Sequence, residues 1–106
     1  MTDQIVEWAP FRLRAGVTEQ MLLEAADALQ RDFLQAQAGF RERHLLRGPD
    51  GAYVDLVWWA TRADADAAMR QAANSSACST YFTLMGAAHS DPGADVVHFG
   101  HVKSYA

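Results

Sequence analysis

Apolar residues recur along this chain with two alternating periods, and the alternation predicts the order of its elements. Gln4 to Arg14 (QIVEWAPFRLR) has strand composition, but its apolar positions change parity around Pro10. A strand here therefore predicts one extra residue, a bulge at Ala9 and Pro10, where no ladder donor is needed. With that bulge Val6, Trp8, Phe11 and Leu13 share one face, and Ile5, Glu7, Arg12 and Arg14 take the other. Thr18 then caps a helix with Glu19 in its first turn. Leu22, Ala25, Ala26, Leu29, Phe33 and Ala36 recur at helical spacing and form one apolar stripe that stops at Gly39.

Phe40 to Arg47, the turn GPDG, and Ala52 to Ala60 read as an antiparallel hairpin. In its second strand Val54, Leu56, Trp58 and Ala60 form an unbroken apolar row, assigned here to the helix-covered core. Tyr53, Asp55, Val57 and Trp59 form a mixed row that faces the other way. Thr61 with Asp64 three residues on predicts a capped helix through about Asn74, packing on Ala65, Ala68, Met69 and Ala72. Asn74-Ser75-Ser76 breaks it, and Ala77 to Ala88 resumes helically with Tyr81, Phe82 and Met85 inward. His89 to Gly93 is a loop, and Asp95 to Tyr105 a final strand. The order is βαββαβ in one domain: a ferredoxin-like α+β fold, with a four-stranded antiparallel sheet and its helices on one face.

Such a sheet leaves a second face open. Trp58 and Trp59 are consecutive in a strand and so point to opposite sides, which requires both sides to be covered. Ile5, Tyr53, Val57 and Trp59 on the open side would make an apolar patch that a soluble monomer rarely carries. Burying two such faces on each other is worth roughly tens of kcal/mol gross at about 25 cal/mol per Å², before entropy and desolvation are subtracted. The expectation is a homodimer through the sheet face.

The chain has 106 residues, a formal net charge of −4 and a single cysteine, Cys78. The length holds one domain without a separate cofactor domain. The charge gives no basic footprint for nucleic acid or anionic membrane, so neither is an expected partner. One cysteine forms no internal disulfide, and nothing at MTDQIVEW resembles a leader, so a cytoplasmic protein is expected. Cys78 reads as a small buried residue rather than a catalytic thiol.

The residues carry a resemblance at this point. EWAPFRLRAGVTEQMLLEAADAL resembles the opening of the dimeric α/β-barrel superfamily. FRERHLLRGPDGAYVDLVWWATRADADAA, followed by NSSACSTYFTLM, is similar to the small proteins grouped with antibiotic biosynthesis monooxygenases. The resemblance implies a pocket in each protomer between sheet and helices. It also implies one of two activities there: oxidation of aromatic polyketides without a bound cofactor, or haem cleavage. A tryptophan at the end of the third strand contributes to the pocket in such relatives. Trp59 matches it by position, whereas the parity of the strand puts Trp58 in the pocket and Trp59 in the dimer seam, and both stay open as substrate-binding residues beside Trp8 and Phe82.

Haem cleavage needs a histidine on the second helical region, and there is none between Arg62 and Ala88. His98 and His101 are three apart and diverge on a strand, so no metal site is expected. The sequence has no phosphate loop, nucleophile elbow, HExxH or CxxC. Arg41, Arg43 and Arg47 lie along an edge strand, where charge guards against stray strand pairing. A cofactor-free oxygenase needs only a dry pocket that deprotonates an electron-rich phenol and holds the anion beside oxygen. Asn74, His44 and Tyr81 are the candidate catalytic groups for this, and His98 is a further proton-transfer candidate. The alternative is a dimeric binding or accessory protein that holds a small apolar or aromatic molecule, and an isomerase or cyclase on the same fold is a third reading. A pocket walled only by Ala, Leu, Met and Phe favours binding; His44 or Tyr81 pointing into it favours catalysis.

Overall fold

The computed structural model describes residues 4–86 and 95–106. Its strands are β1 (Ile5–Arg12), β2 (Phe40–Arg47), β3 (Ala52–Trp59) and β4 (Val97–Gly100); its helices are α1 (Glu19–Asp32), α2 (Arg62–Ala72) and α3 (Ser76–Thr83). The strands form one antiparallel sheet in the order β2-β3-β1-β4, with all three helices packed on one side. The ferredoxin-like order read from the sequence is therefore present, with its second helix in two pieces.

The Thr18 and Thr61 caps are where the sequence places them, and the break at Asn74–Ser76 supplies a third cap, Ser75. Thr18 Oγ1 accepts from Met21 N at 3.2 Å, Thr61 Oγ1 from Asp64 N at 3.0 Å, and Ser75 Oγ from Cys78 N at 3.2 Å. Each side chain satisfies one backbone donor that has no partner within its own helix. α1 ends at Asp32 rather than running on to Gly39, and a 3₁₀ turn at Leu34–Ala36 leads to Gly39. Gly39 has φ +80, and a Cβ there would collide with the Asp64 carboxylate, so the position admits only glycine. The hairpin turns through Asp50 at φ 57, in the left-handed region that aspartate tolerates, and the Arg12 guanidinium donates to its carbonyl. α3 stops at Thr83, short of the expected Ala88, and the loop expected at His89–Gly93 lies outside the described residues. β4 is shorter than the expected 95–105. It ends at Gly100, with one further rung where His101 N donates to Gln4 O at 2.8 Å.

The register corrects the sequence reading in one consequential respect. β1 and β3 pair without interruption from Ile5↔Trp59 to Arg12↔Ala52, so there is no bulge at Ala9 and Pro10. Pro10 is tolerated because β4 pairs β1 only as far as Trp8, which leaves one edge of β1 free of ladder bonds beyond it. The irregularity falls instead in β2, between Phe40 and Glu42. Without a β1 bulge the faces exchange. Ile5, Glu7, Ala9 and Phe11 lie with Tyr53, Asp55, Val57 and Trp59 under the helices, where Trp59 is 2% exposed and Val57 4%. Val6, Trp8, Val54, Leu56 and Trp58 lie on the open face, where Trp8 is 40% exposed. The row assigned to the core is the outer one, and the row containing a carboxylate is the inner one. Leu46 of β2 and Val97 and Phe99 of β4 add exposed apolar surface to the same open face.

Candidate functional site

The helix-side face of the sheet does not meet the helices everywhere. α2 turns Ala65, Ala68 and Ala72 toward it, spaced by three and four so that they share one helical face. A methyl group cannot fill the gap between helix and sheet that a leucine would, and a cavity of about 590 Å³ remains, floored by Phe11, Val57 and Trp59 and closed by Phe33, Tyr81 and Phe82. That volume lies within the roughly 300–1,000 Å³ typical of small-molecule sites. The walls are mostly apolar and aromatic, and the ionisable side chains at and just behind them form two groups.

The first group is committed to itself. Arg43 grips Asp55 in a two-pronged contact, Nε to Oδ1 at 2.8 Å and Nη2 to Oδ2 at 2.9 Å, while its Nη1 donates to Ala26 O at 2.9 Å. The Tyr81 hydroxyl donates to Asp55 Oδ2 at 2.6 Å, and the guanidinium carbon stands 5.4 Å from the centre of the Tyr81 ring. Burial and the Asp55 charge push the Tyr81 phenol well above its ordinary range, so it stays protonated and its proton is taken. Arg43 is thus not an edge-strand guard. The β2 irregularity turns it inward, where it neutralises the carboxylate that the inner row carries.

The second group is uncommitted. Glu7 sits mid-strand in β1, flanked by Val57 of β3 and His98 of β4 in register, and its carboxyl lines the cavity. Glu7 Oε1 and His98 Nε2 stand 3.4 Å apart, with side chains 15% and 12% exposed. The Trp59 indole N–H lies close enough to favour the charged carboxylate, yet neither it nor His98 Nε2 has a hydrogen-bond partner of good geometry. Burial raises the Glu7 pKa to about 7, against a weaker lowering by Trp59 and with a further rise from the Asp55 charge. Burial and Arg62 lower that of His98, partly offset by Asp66. The pair therefore favours a neutral imidazole beside a carboxyl that exchanges its proton near neutrality. Burial also pushes the Cys78 thiol up, in keeping with a packing residue.

The sequence-predicted residues divide accordingly. Tyr81, Trp59 and Phe82 line the cavity. Trp58 does not: it lies on the open face, edge-on to the His44 ring at 5.3 Å, with His44 half exposed beside Glu42. Trp8 is on that face too, and Asn74 is exposed in a separate shallow surface groove near Ser75 and Gln37. The two readings of the tryptophans resolve in favour of Trp59 in the cavity. Glu7 and Asp55 line the cavity and Arg43 holds Asp55 from behind, three residues that the sequence reading missed as site residues. The available signal was a carboxylate at mid-strand on each of two strands and an arginine on a third, a charge set able to balance on one buried face. Among the described residues no three His, Cys, Asp or Glu side chains gather as metal ligands, and no helix is long and apolar enough to cross a membrane.

No protein-family model and no curated protein sequence matches the chain. Solved structures do. SnoaB from Streptomyces nogalater, a cofactor-independent oxygenase, is 18% identical with a TM-score of 0.63, over 99% of this chain and 97% of that one. A candidate antibiotic biosynthesis monooxygenase from Bordetella bronchiseptica is 20% identical with a TM-score of 0.69, over 96% of this chain and 100% of that one. A conserved protein from Methanosarcina mazei Go1 is 13% identical with a TM-score of 0.66, over 93% of each chain. The fold is thus the one that antibiotic biosynthesis monooxygenase-like proteins adopt, as the sequence resemblance implies.

Proposed function

We propose that this protein is a cofactor-independent monooxygenase-like enzyme, which oxidises a small hydroxylated aromatic, polyketide-like in character, within the cavity between sheet and helices. The observation that carries the reading is an apolar, aromatic-walled cavity lined by Glu7, a largely buried carboxyl 3.4 Å from His98 whose pKa burial raises to about 7. An aromatic ring seated against these walls would displace water from the face of the ring that reacts. An electron-rich phenolate needs no flavin or metal to supply electrons: the ring gives up four electrons to dioxygen, one oxygen atom becomes a ring carbonyl, and the other leaves as water with two substrate hydrogens. The shared fold with a cofactor-independent oxygenase supports the same reading. The sequence criterion for simple binding, a wall of Ala, Leu, Met and Phe alone, is not met.

The test is aerobic turnover of a panel of naphthols, anthrols and hydroxyanthrones by metal-free, flavin-free protein, with oxygen uptake and product mass measured. The expected result is one dioxygen consumed per quinone formed, abolished in Ala68→Phe, which fills the cavity from α2. Tight binding of the panel without oxygen uptake would make the protein a carrier instead.

A homodimer through the open sheet face forms part of the proposal. Trp8, Leu46, Val97 and Phe99 are all exposed there, and among the described residues no element covers them. Sedimentation equilibrium is expected to give a dimer at micromolar concentration, and Trp8→Asp with Leu46→Asp is expected to weaken it by about a hundredfold or more, since each change opposes a charge to a desolvated face. A monomeric wild-type protein would overturn this assembly.

A further inference from the structure

Among the described residues on the cavity wall, Glu7 is the one carboxylate that no arginine or phenol holds. Asp55 is held by Arg43 and Tyr81, the Tyr81 proton points at Asp55, and the Thr83 hydroxyl donates to Thr80 O at 2.6 Å. Cys78 is packed and held protonated by burial. Glu7 remains: it lines the cavity, and its two polar neighbours, Trp59 Nε1 and His98 Nε2, make no hydrogen bond of good geometry. His98 does not line the cavity; it stands on the far side of the carboxyl, one strand over, and can only act on a ligand through Glu7. The Trp59 ring forms part of the cavity floor, and its buried N–H lies beside the same carboxyl. A hydroxyl entering between them would find an acceptor and a donor together, each unsatisfied without it.

We propose that the Glu7 carboxylate is the proton acceptor for a hydroxyl on the bound aromatic, that His98 positions that carboxylate, and that the cavity thereby selects aromatics bearing an ionisable hydroxyl over the corresponding ethers. This rests on the aromatic-substrate reading above and names the group and ligand class within it. The only proton movement is from the ligand oxygen to a Glu7 oxygen. The resulting oxyanion faces the Trp59 N–H, the geometry that stabilises developing charge on oxygen. The charged groups facing this centre come from four elements: Asp55 on β3, His98 on β4, Arg62 and Asp66 on α2 toward His98, and Tyr81 on α3 through Asp55. Asp55 is already neutralised by Arg43, so its like charge raises the proton affinity of Glu7 without preventing ionisation near neutrality.

The test is anaerobic calorimetric binding of 2-naphthol and of 2-methoxynaphthalene to the full chain across roughly pH 5.5–8.5, a window that spans the Glu7 pKa of about 7 and stays below the ordinary phenol range near 10. Naphthol is expected to tighten by about tenfold or more as pH rises, the worth of a hydrogen bond to a charged acceptor. The ether is expected to show no such limb. Glu7→Gln should erase the limb while still binding the ether with an affinity independent of pH, which shows that the cavity is intact. His98→Gln should keep the limb but move its midpoint, a displacement that loss of packing alone would not give. Equal binding of naphthol and ether at all pH values, or a naphthol limb that survives in Glu7→Gln, would overturn the assignment. Failure of either ligand to bind at any pH would overturn the aromatic-substrate reading and the assignment with it. A Glu7-dependent limb without oxygen uptake would overturn only the oxygenase reading.

Discussion

Arg43→Ala is expected to lower the stability of the protein by about 3–5 kcal/mol, the usual cost of removing one partner from a buried ion pair. Desolvating Asp55 and Arg43 is costly, and their attraction offsets that cost only because the geometry is so complete: two charge-assisted bonds between them, a third from Arg43 to the Ala26 carbonyl, and the Tyr81 hydroxyl on the remaining carboxylate lone pairs. Truncating the arginine leaves an aspartate, 6% exposed, on the inner face with a single neutral donor. Tyr81→Phe should cost less, about 1–3 kcal/mol, because it removes one bond to a charge and leaves the pair intact. Urea denaturation at neutral pH checks both values. A loss below about 1 kcal/mol for Arg43→Ala would mean that Asp55 is hydrated or protonated and that the pair has no structural role. The same variant should also move Glu7: with its counter-charge gone, Asp55 repels the second carboxylate more strongly, and the midpoint of the Glu7 titration should rise.

That coupling explains why the strand faces were the least legible feature of the sequence. Thr18, Thr61 and the Pro49–Gly51 turn announce themselves locally, because caps and turns are satisfied by neighbours a few residues away, and the structure has them in place. Choosing which row of β3 faces the helices requires knowing what lies across from it. Val54, Leu56 and Trp58 form the more apolar row, and apolarity alone assigns them to the core. Yet here both faces carry large apolar side chains, so the deciding information is the charge balance: an inward Asp55 is tolerated only because Arg43, on a different strand, is turned inward by an irregularity near Arg41. The same reversal accounts for the candidate site. Tyr81 and Phe82 were legible from helical spacing, and Trp59 from its place before α2. His44, Trp8 and Trp58 lie on the outer face, while Glu7, with the bulge expected at Pro10, shares with Ile5 the face that the sequence reading turns away from the helices.

Glu7→Gln is expected to be more stable than the wild-type protein above neutral pH, by about 2–3 kcal/mol, and close to it near pH 4.5. Burial raises the Glu7 pKa from 4.5 to about 7, so the folded state binds this proton more tightly than the unfolded chain does. Stability from the protonated carboxyl is fully present below about 4.5 and is lost as pH rises through about 7. At roughly 1.4 kcal/mol per tenfold change in proton affinity, the wild-type protein forfeits about 3 kcal/mol across that window, a loss that a neutral glutamine avoids. His98 acts with the opposite sign. Its lowered pKa makes the folded state reject a proton that the unfolded chain accepts, and this erodes stability as pH falls below the ordinary histidine value. Since both proteins carry His98, the difference between their urea midpoints at about pH 5 and about pH 8 isolates Glu7 to first order. A difference that is the same at both values would mean that water reaches the carboxyl and that its proton affinity is ordinary, which would remove the physical reason for assigning it the hydroxyl proton. A difference that opens with pH would mean that the fold keeps a carboxylate where it weakens the structure most at the pH where it is charged, and such a cost is characteristic of residues retained for what their charge does in a site.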